Sequence, residues 1–453
     1  MMNIDVAGRI DNAPVGAFQI RVVLLCGLVA LLDGLDIQAM ALVTPTLREQ
    51  WQLPPTAFGP ILSASFFGIM LGMMGLGMLG DRLGRRKVLL GSFLLVGLSS
   101  IATGLATSPN ELMLGRLLTG IGIGGCLPNV TALTAEYVPV KRLAFFVTLM
   151  YSAVPLGGVV AGYIGGPLID AFGWQAVFYA GGVVPLLLWL IIYFNLPESI
   201  RFLANRPGAQ VEAGRVLSKI DPTYVYQSDH VFQVSGRDLK ASPGQLFAEG
   251  RAITTLMLWV VFFFSLFGMY MLASWLPTVF TQLGWAPRDA IQSVSYFWLG
   301  GILGGLAAGW LIDRQGPYRV LVPGFVLAGL LTAAIGLVSG QGWMPMLLVL
   351  LCGFGVVGAQ LAMTALAAEL YPTTIRSTGV GWGLGIGRLG AVLSPTIGGY
   401  ALSAQWSQAE LFAAAAVPAF ICAFATMTMG RAEQRRRARH TQAPGEITRA
   451  VSA

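Results

Sequence analysis

GMLGDRLGRRKVLL, residues 77–90, returns as GWLIDRQGPYRVLV at 309–322, and this pair decides the fold. Glycine, aspartate, arginine and glycine recur in the same order, as Gly77, Asp81, Arg82 and Gly84, then as Gly309, Asp313, Arg314 and Gly316. Two more matches hold the same offset to within one residue. TALTAEYVP, ending at Pro139, pairs with TALAAELYP, ending at Pro372, and GYIGG at 162–166 pairs with TIGGY at 396–400. A constant offset across separate motifs marks a chain made of two copies of one unit.

Working outward, each copy of the loop sits between long apolar runs. The chain has 453 residues, 55% apolar and 11% charged, where soluble domains carry about 25% charge. Twelve runs of about 20 residues or more follow one another, from 21–47 to 409–430, each long enough for a membrane helix. The expectation is an all-α integral membrane protein of twelve transmembrane helices in two six-helix bundles. Six spans per half return the chain to the same side, so the repeat is parallel, and two such bundles around a cavity can rock between two openings.

Charge sets the orientation. With the N-terminus in the cytoplasm, Arg82, Arg85, Arg86, Lys87, Lys141, Arg142, Arg314, Arg319, Arg376 and the basic tail fall inside, leaving Arg48 and Arg288 outside. This is the positive-inside pattern, with both termini cytoplasmic. The expected divisions are a segment 1–20, a bundle 21–196, a central loop 197–250, a bundle 251–430 and a tail 431–453. QVEAGRVLSKI in the central loop reads as an amphipathic helix at the cytoplasmic surface. The tail reads as disordered past its first turns, with RRRAR facing anionic lipid heads.

Several classes are excluded. The first run lacks a cleavage site and reads as a span, not a signal peptide. Four cysteines at unrelated spacings inside apolar runs argue against disulfides and metal clusters. The net charge of +7 follows the membrane topology, so no nucleic acid is expected. No cofactor or metal is expected, and no nucleophile–histidine pair or nucleotide loop lies at membrane depth, so the chain reads as no enzyme.

Chemistry concentrates where charge enters the membrane. Asp33 and Asp36 stand three apart on one helical face, Asp33 roughly 18 Å along the axis from Arg21. Burial and mutual repulsion suit such a pair to load and release protons. Arg388, amid glycines 383, 385, 387 and 390, needs a carboxylate partner from the chain or from a substrate; the glycines leave room beside it. Arg116 is the second intramembrane arginine, a candidate substrate contact or, snorkelling to the nearby interface, a structural residue. Gln38, Asn129, Tyr151, Tyr270, Tyr296, Gln360 and Trp382 are lining candidates, and arginine with aromatic rings suits a planar organic anion. At the inner edge, Gly77, Asp81, Arg82, Gly84, Arg85 and Arg86, with Glu136 and Arg142, read as a conformational latch. Asp313, Arg314, Glu369 and Arg376 repeat it.

GMLGDRLGRRKVLL resembles the loop signature of the major facilitator superfamily. LPESIRFL after span six is similar to a sequence of its sugar-porter-like and aromatic-acid branches, and DGLDIQA resembles the first-span signature of the aromatic acid:proton symporters. The resemblance covers residues 18–430. It implies proton-driven uptake of a benzoate- or hydroxybenzoate-like acid; the further expectations are a bacterial inner-membrane location, a functional monomer, and substrate, protons and membrane lipids as partners. It also implies that Asp33, Asp36, Asp81, Gly84, Arg116 and Arg388 are functional. Another organic anion, a sugar-like metabolite, or a membrane sensor on a transporter scaffold are the competing readings.

Overall fold

The computed structural model describes the chain except residues 1, 207, 222, 225, 227–229, 234–242, 339–341, 372–374, 405 and 451–453. Pro372 of the second TALAAELYP copy and the middle of the central loop therefore lie outside the described residues. Strand β1 (Met2–Asp5) leads into α1 (Val6–Asn12) and α2 (Ala17–Trp51). Then come α3 (Pro55–Leu83), α4 (Arg85–Gly104), α5 (Pro109–Tyr137), α6 (Leu143–Tyr151), α7 (Ala153–Phe172) and α8 (Gln175–Asn195). The central segment holds α9 (Ile200–Asn205), α10 (Gln210–Ile220) and strand β2 (His230–Gln233). The rest is α11 (Ala252–Gln282), α12 (Pro287–Gln315), α13 (Pro317–Ile335), α14 (Trp343–Leu370), α15 (Arg376–Ser403) and α16 (Gln408–Ala450).

Contacts divide the chain into two compact units, Met1–Asp238 with Pro277–Ser295, and Leu239–Leu276 with Tyr296–Ala453. Among the described residues, ten helices are long and apolar enough to cross a membrane, with α6 and α7 sharing one span. The count reaches eleven if α1 and α2, bent by 101°, count as one. It stands below the twelve expected because α15, the anticipated eleventh span, is diluted by its glycines, Arg376 and Arg388.

Within each unit the helices meet on glycine, since apolar burial gives no preference for protein over lipid and close backbone approach must supply the attraction. In the first unit, a Cβ on Gly68 or Gly72 of α3 would stand 2.3 and 2.1 Å from carbonyl oxygens of α5. In the second, Gly300 and Gly304 of α12 meet α14 the same way, at 1.9 and 2.0 Å. These pairs keep the sequence offset, so the repeat extends to the helix crossing itself. Gly84 and Gly316 end α3 and α12 at φ +100° and +83°, a conformation that L side chains adopt only with strain.

One pairing is new and two expectations change. The N-terminal segment and central loop are folded together, with β1 and β2 forming a two-stranded parallel sheet. Helix α10 covers the expected QVEAGRVLSKI, but its apolar face (Ala213, Val216, Leu217, Ile220) packs into protein instead of lying open at the surface. The basic tail continues α16 as helix to Ala450, since its Ala, Arg, Glu and Gln are strong helix formers.

Candidate functional site

Helix α2 buries both first-span carboxylates, with Asp33 4% and Asp36 5% exposed. Gly34 between them brings α7 into backbone contact. A Cβ there would stand 1.9 Å from the Val154 carbonyl oxygen, and Gly157 of α7 answers against Leu31 at 2.2 Å.

Asp36 is gripped by Arg116 of α5, a fully buried side chain. Nη1 donates to Oδ1 at 3.0 Å and Nη2 to Oδ2 at 2.6 Å. Nη2 also donates to the Asp36 carbonyl oxygen and to Ser65 Oγ of α3, both at 3.1 Å. The guanidinium lies 5.8 Å from the centroid of the Phe178 ring of α8. A planar fork matched to a carboxylate is the strong form of such a bond. Arg116, anticipated as a substrate contact, is therefore committed to Asp36 and ties four helices together. Ser65 and Phe178 had no signal in the sequence.

Asn129, a lining candidate, is engaged by neighbouring backbone. Its Nδ2 donates to the Gly125 carbonyl at 2.7 Å and the Leu76 carbonyl at 3.4 Å, and its Oδ1 fills the place of a Cβ on Gly80. It serves helix packing, and the tight approach falls at Gly80, whereas at Gly77 the neighbour Pro128 is at ordinary distance. Half-buried Tyr151 accepts a hydrogen bond from Thr131 at 3.0 Å. Gln38 is buried, and its Nε2 has no partner among the described residues.

At the end of α3, Arg85 bridges Asp81 and Glu136, the former at 3.2 Å. Glu136 also accepts from Ser199 Oγ at 2.6 Å. Glu198 Oε1 accepts from the Arg86 backbone N–H at 3.0 Å, and the Arg86 guanidinium reaches the Tyr193 carbonyl and ring. Tyr137 donates to the Glu198 carbonyl at 2.6 Å. Glu198 and Ser199 thus complete the cluster. LPESIRFL carried them in sequence, with no role assigned. Arg82 and Arg142 are exposed and make no ion pair among the described residues.

The second copy is not wired alike. Asp313, Arg314, Glu369 and Arg376 are exposed and form no ion pair among the described residues; Arg314 lies 3.9 Å from the centroid of the Trp310 ring. Pro317 occupies the place of Arg85, so the bridging cation is missing.

In the second unit Arg388 is half-buried and makes no hydrogen bond or ion pair among the described residues. The glycines around it mostly serve packing: a Cβ on Gly383, Gly387 or Gly390 would meet α11 within 3 Å, and only Gly385 faces open space. Trp382, 45% exposed, stacks on Trp259 with ring centroids 5.8 Å apart. Tyr270 and Gln360 are buried, Gln360 with Oε1 unpartnered among the described residues, and Tyr296 is half-buried.

Repeated halves of apolar helices, glycine crossings, intramembrane charges and a charge cluster at one helix end define a multi-span membrane transporter. The sequence matches the Major Facilitator Superfamily profile over residues 26–382 and again over 258–452, and the chain belongs to that superfamily. It is 37% identical to the gallate transporter of Pseudomonas putida, over 95% of this chain and 96% of that one. It is also 37% identical to the 4-hydroxybenzoate transporter PcaK of Pseudomonas aeruginosa, over 94% and 96%. The fold is similar to the inward open xylose transporter XylE from E. coli, with TM-score 0.70 at 15% identity, over 90% of this chain and 96% of that one. The expected kinship with the aromatic-acid branch is borne out, and the chain is a transporter and not an enzyme.

Proposed function

We propose that the chain takes up a small aromatic carboxylate, of the benzoate or hydroxybenzoate kind, together with protons across the cytoplasmic membrane by alternating access. The reading includes twelve spans, with α15 as the eleventh, and both termini in the cytoplasm. One observation carries it. Of the two intramembrane arginines, Arg116 has its carboxylate in Asp36, whereas Arg388 has none among the described residues. A cation held inside hydrocarbon without a partner is costly, and an incoming carboxylate supplies the missing charge. Trp382, exposed six residues before it, offers a ring face to a planar substrate. The names of the relatives, gallate and 4-hydroxybenzoate transporters, point to the same substrate class.

Protons enter the reading through Asp33 and Asp36. Protonating Asp36 removes the charge that Arg116 grips, so the tie among α2, α3, α5 and α8 weakens when a proton binds and tightens when it leaves. The Asp81–Arg85–Glu136 cluster, extended by Ser199, acts as a latch holding the ends of α3 and α5 in one state.

The test is uptake of labelled 4-hydroxybenzoate, benzoate, gallate and a hexose into proteoliposomes with an imposed pH gradient. Accumulation of one or more of the acids, driven by inward protons, is expected. Hexose accumulation, or acid uptake indifferent to the gradient, would overturn it.

A further inference from the structure

We infer that residues 2–19 form a strap that ties the central loop to the end of α5 and stays docked while the protein works. This goes beyond the transport reading and concerns a part of the chain that reading does not use.

The strap is anchored in two places. At the central loop, β1 pairs in parallel with β2, Ile4 opposite Phe232, and both side chains are buried. Val6 and Ile10 of α1 join them in one apolar cluster with Ala213, Leu217 and Ile220 of α10. Arg9 Nη1 donates to Asp221 Oδ2 at 3.2 Å and lies 5.7 Å from the centroid of the Tyr224 ring. Asp221 is itself fixed, accepting from the Thr223 N–H at 3.0 Å and hydroxyl at 2.5 Å.

The second anchor is at α5. Asp11 Oδ1 accepts from the Val140 N–H at 2.8 Å. Gln19, fully buried, donates from Nε2 to the Tyr137 carbonyl at 2.8 Å, while its Oε1 accepts from the Gly16 N–H at 2.8 Å. Tyr137 follows Glu136, so the strap holds the residue beside the Arg85 bridge.

A two-strand pair is marginal by itself in water. It persists here because strand, α1, α10 and the end of α5 share one apolar cluster, so the strap docks as a unit or not at all. Every anchor lies within the first compact unit, which is why docking need not be undone as the protein works.

The test uses the full chain carrying Ile4→Cys and Phe232→Cys; the four native cysteines are buried. A mild oxidant is expected to join the pair, and the cross-linked chain keeps 4-hydroxybenzoate uptake within about twofold of the same variant reduced. Failure to cross-link, or uptake lost on oxidation and regained on reduction, would overturn the inference. Separately, Asp11→Ala is expected to speed tryptic cleavage after Lys141 and Arg142 about fivefold or more in purified protein. Arg9→Asp does the same, and adding Asp221→Arg restores protection. Unchanged cleavage in both single variants would show that nothing is strapped. Cross-linking and proteolysis involve no substrate, so a mistaken substrate class leaves them intact.

Discussion

Arg116 holds Asp36 with both prongs of its guanidinium, at 3.0 and 2.6 Å, and no part of the arginine reaches solvent or lipid. The pair joins α2 to α5, while Ser65 and Phe178 bring α3 and α8 to the same charge. A buried pair is modest as a source of stability but severe when broken, because the survivor is an uncompensated charge.

Arg116→Ala and Asp36→Ala should each lose about 3–5 kcal/mol of stability. The double variant Asp36→Asn with Arg116→Gln should recover most of that loss while failing to accumulate substrate against its gradient. Thermal unfolding of purified protein and proteoliposome uptake check both halves. An Arg116→Ala protein melting at the parental temperature would show that the pair does not hold these helices.

Arg388 gives the opposite pattern. No ion pair within the described residues breaks when it is removed, so Arg388→Ala should fold and melt close to the parent. Binding of 4-hydroxybenzoate should fall about tenfold or more, the value of one charge-assisted bond of about 1.5–3 kcal/mol. Arg388→Lys should retain part of the affinity, since it keeps the charge and loses the fork. Calorimetric titration of the purified variants decides it, and undiminished binding in Arg388→Ala would remove the residue from the site.

The two loop glycines separate strain from contact. Gly84→Ala and Gly316→Ala both place a side chain at positive φ, at a cost of about 1–2 kcal/mol each. A Cβ at Gly84 would also stand 2.4 Å from Glu198 Oε2, whereas at Gly316 nothing lies within 4 Å. Gly84→Ala should therefore be the more damaging, in melting temperature and in uptake. Equal losses would mean that the Glu198 contact contributes nothing.

The strap should fail in acid. The Thr223 hydroxyl bond, supported by the Thr223 N–H and Arg9 and opposed by burial, holds the Asp221 carboxyl below its ordinary value of 3.8. A depressed carboxylate stabilises the folded state fully above that ordinary value and loses its contribution as pH falls through the lowered one. The joining rate of the Ile4→Cys with Phe232→Cys pair by an acid-competent thiol cross-linker, divided at each pH by the rate at which the same reagent labels a free thiol, should thus be constant from pH 7 to pH 5 and fall below pH 4. Thr223→Val should move the loss to higher pH. A ratio that falls already between pH 7 and pH 5 would point to another group.

Much of this was legible in the residues. The repeat, the membrane class and the acidic first span followed from offset, hydropathy and spacing, which are properties of order along the chain. The Asp81, Arg85 and Glu136 grouping was anticipated as well, while its completion by Glu198 and Ser199 was not. The glycines around Arg388 were misread as space, because a lone sequence does not say which helix lies opposite. The backbone partners of Asn129 were hidden for the same reason, since a polar residue in a span serves a ligand or a neighbouring backbone equally well on paper.

Sequence by itself determined that this chain is a duplicated set of membrane helices carrying Asp33, Asp36, Arg116 and Arg388 within long glycine-rich or apolar runs, because hydrophobic length, charge placement and repetition are written in one dimension. Which partner Arg116 takes was decided only by tertiary structure. Asp36 and Arg116 are 80 residues apart along the chain and 2.6 Å apart in space, and β1 finds β2 across more than 220 positions. Such pairings depend on how helices cross, and the crossings are set by glycine contacts that no single helix contains.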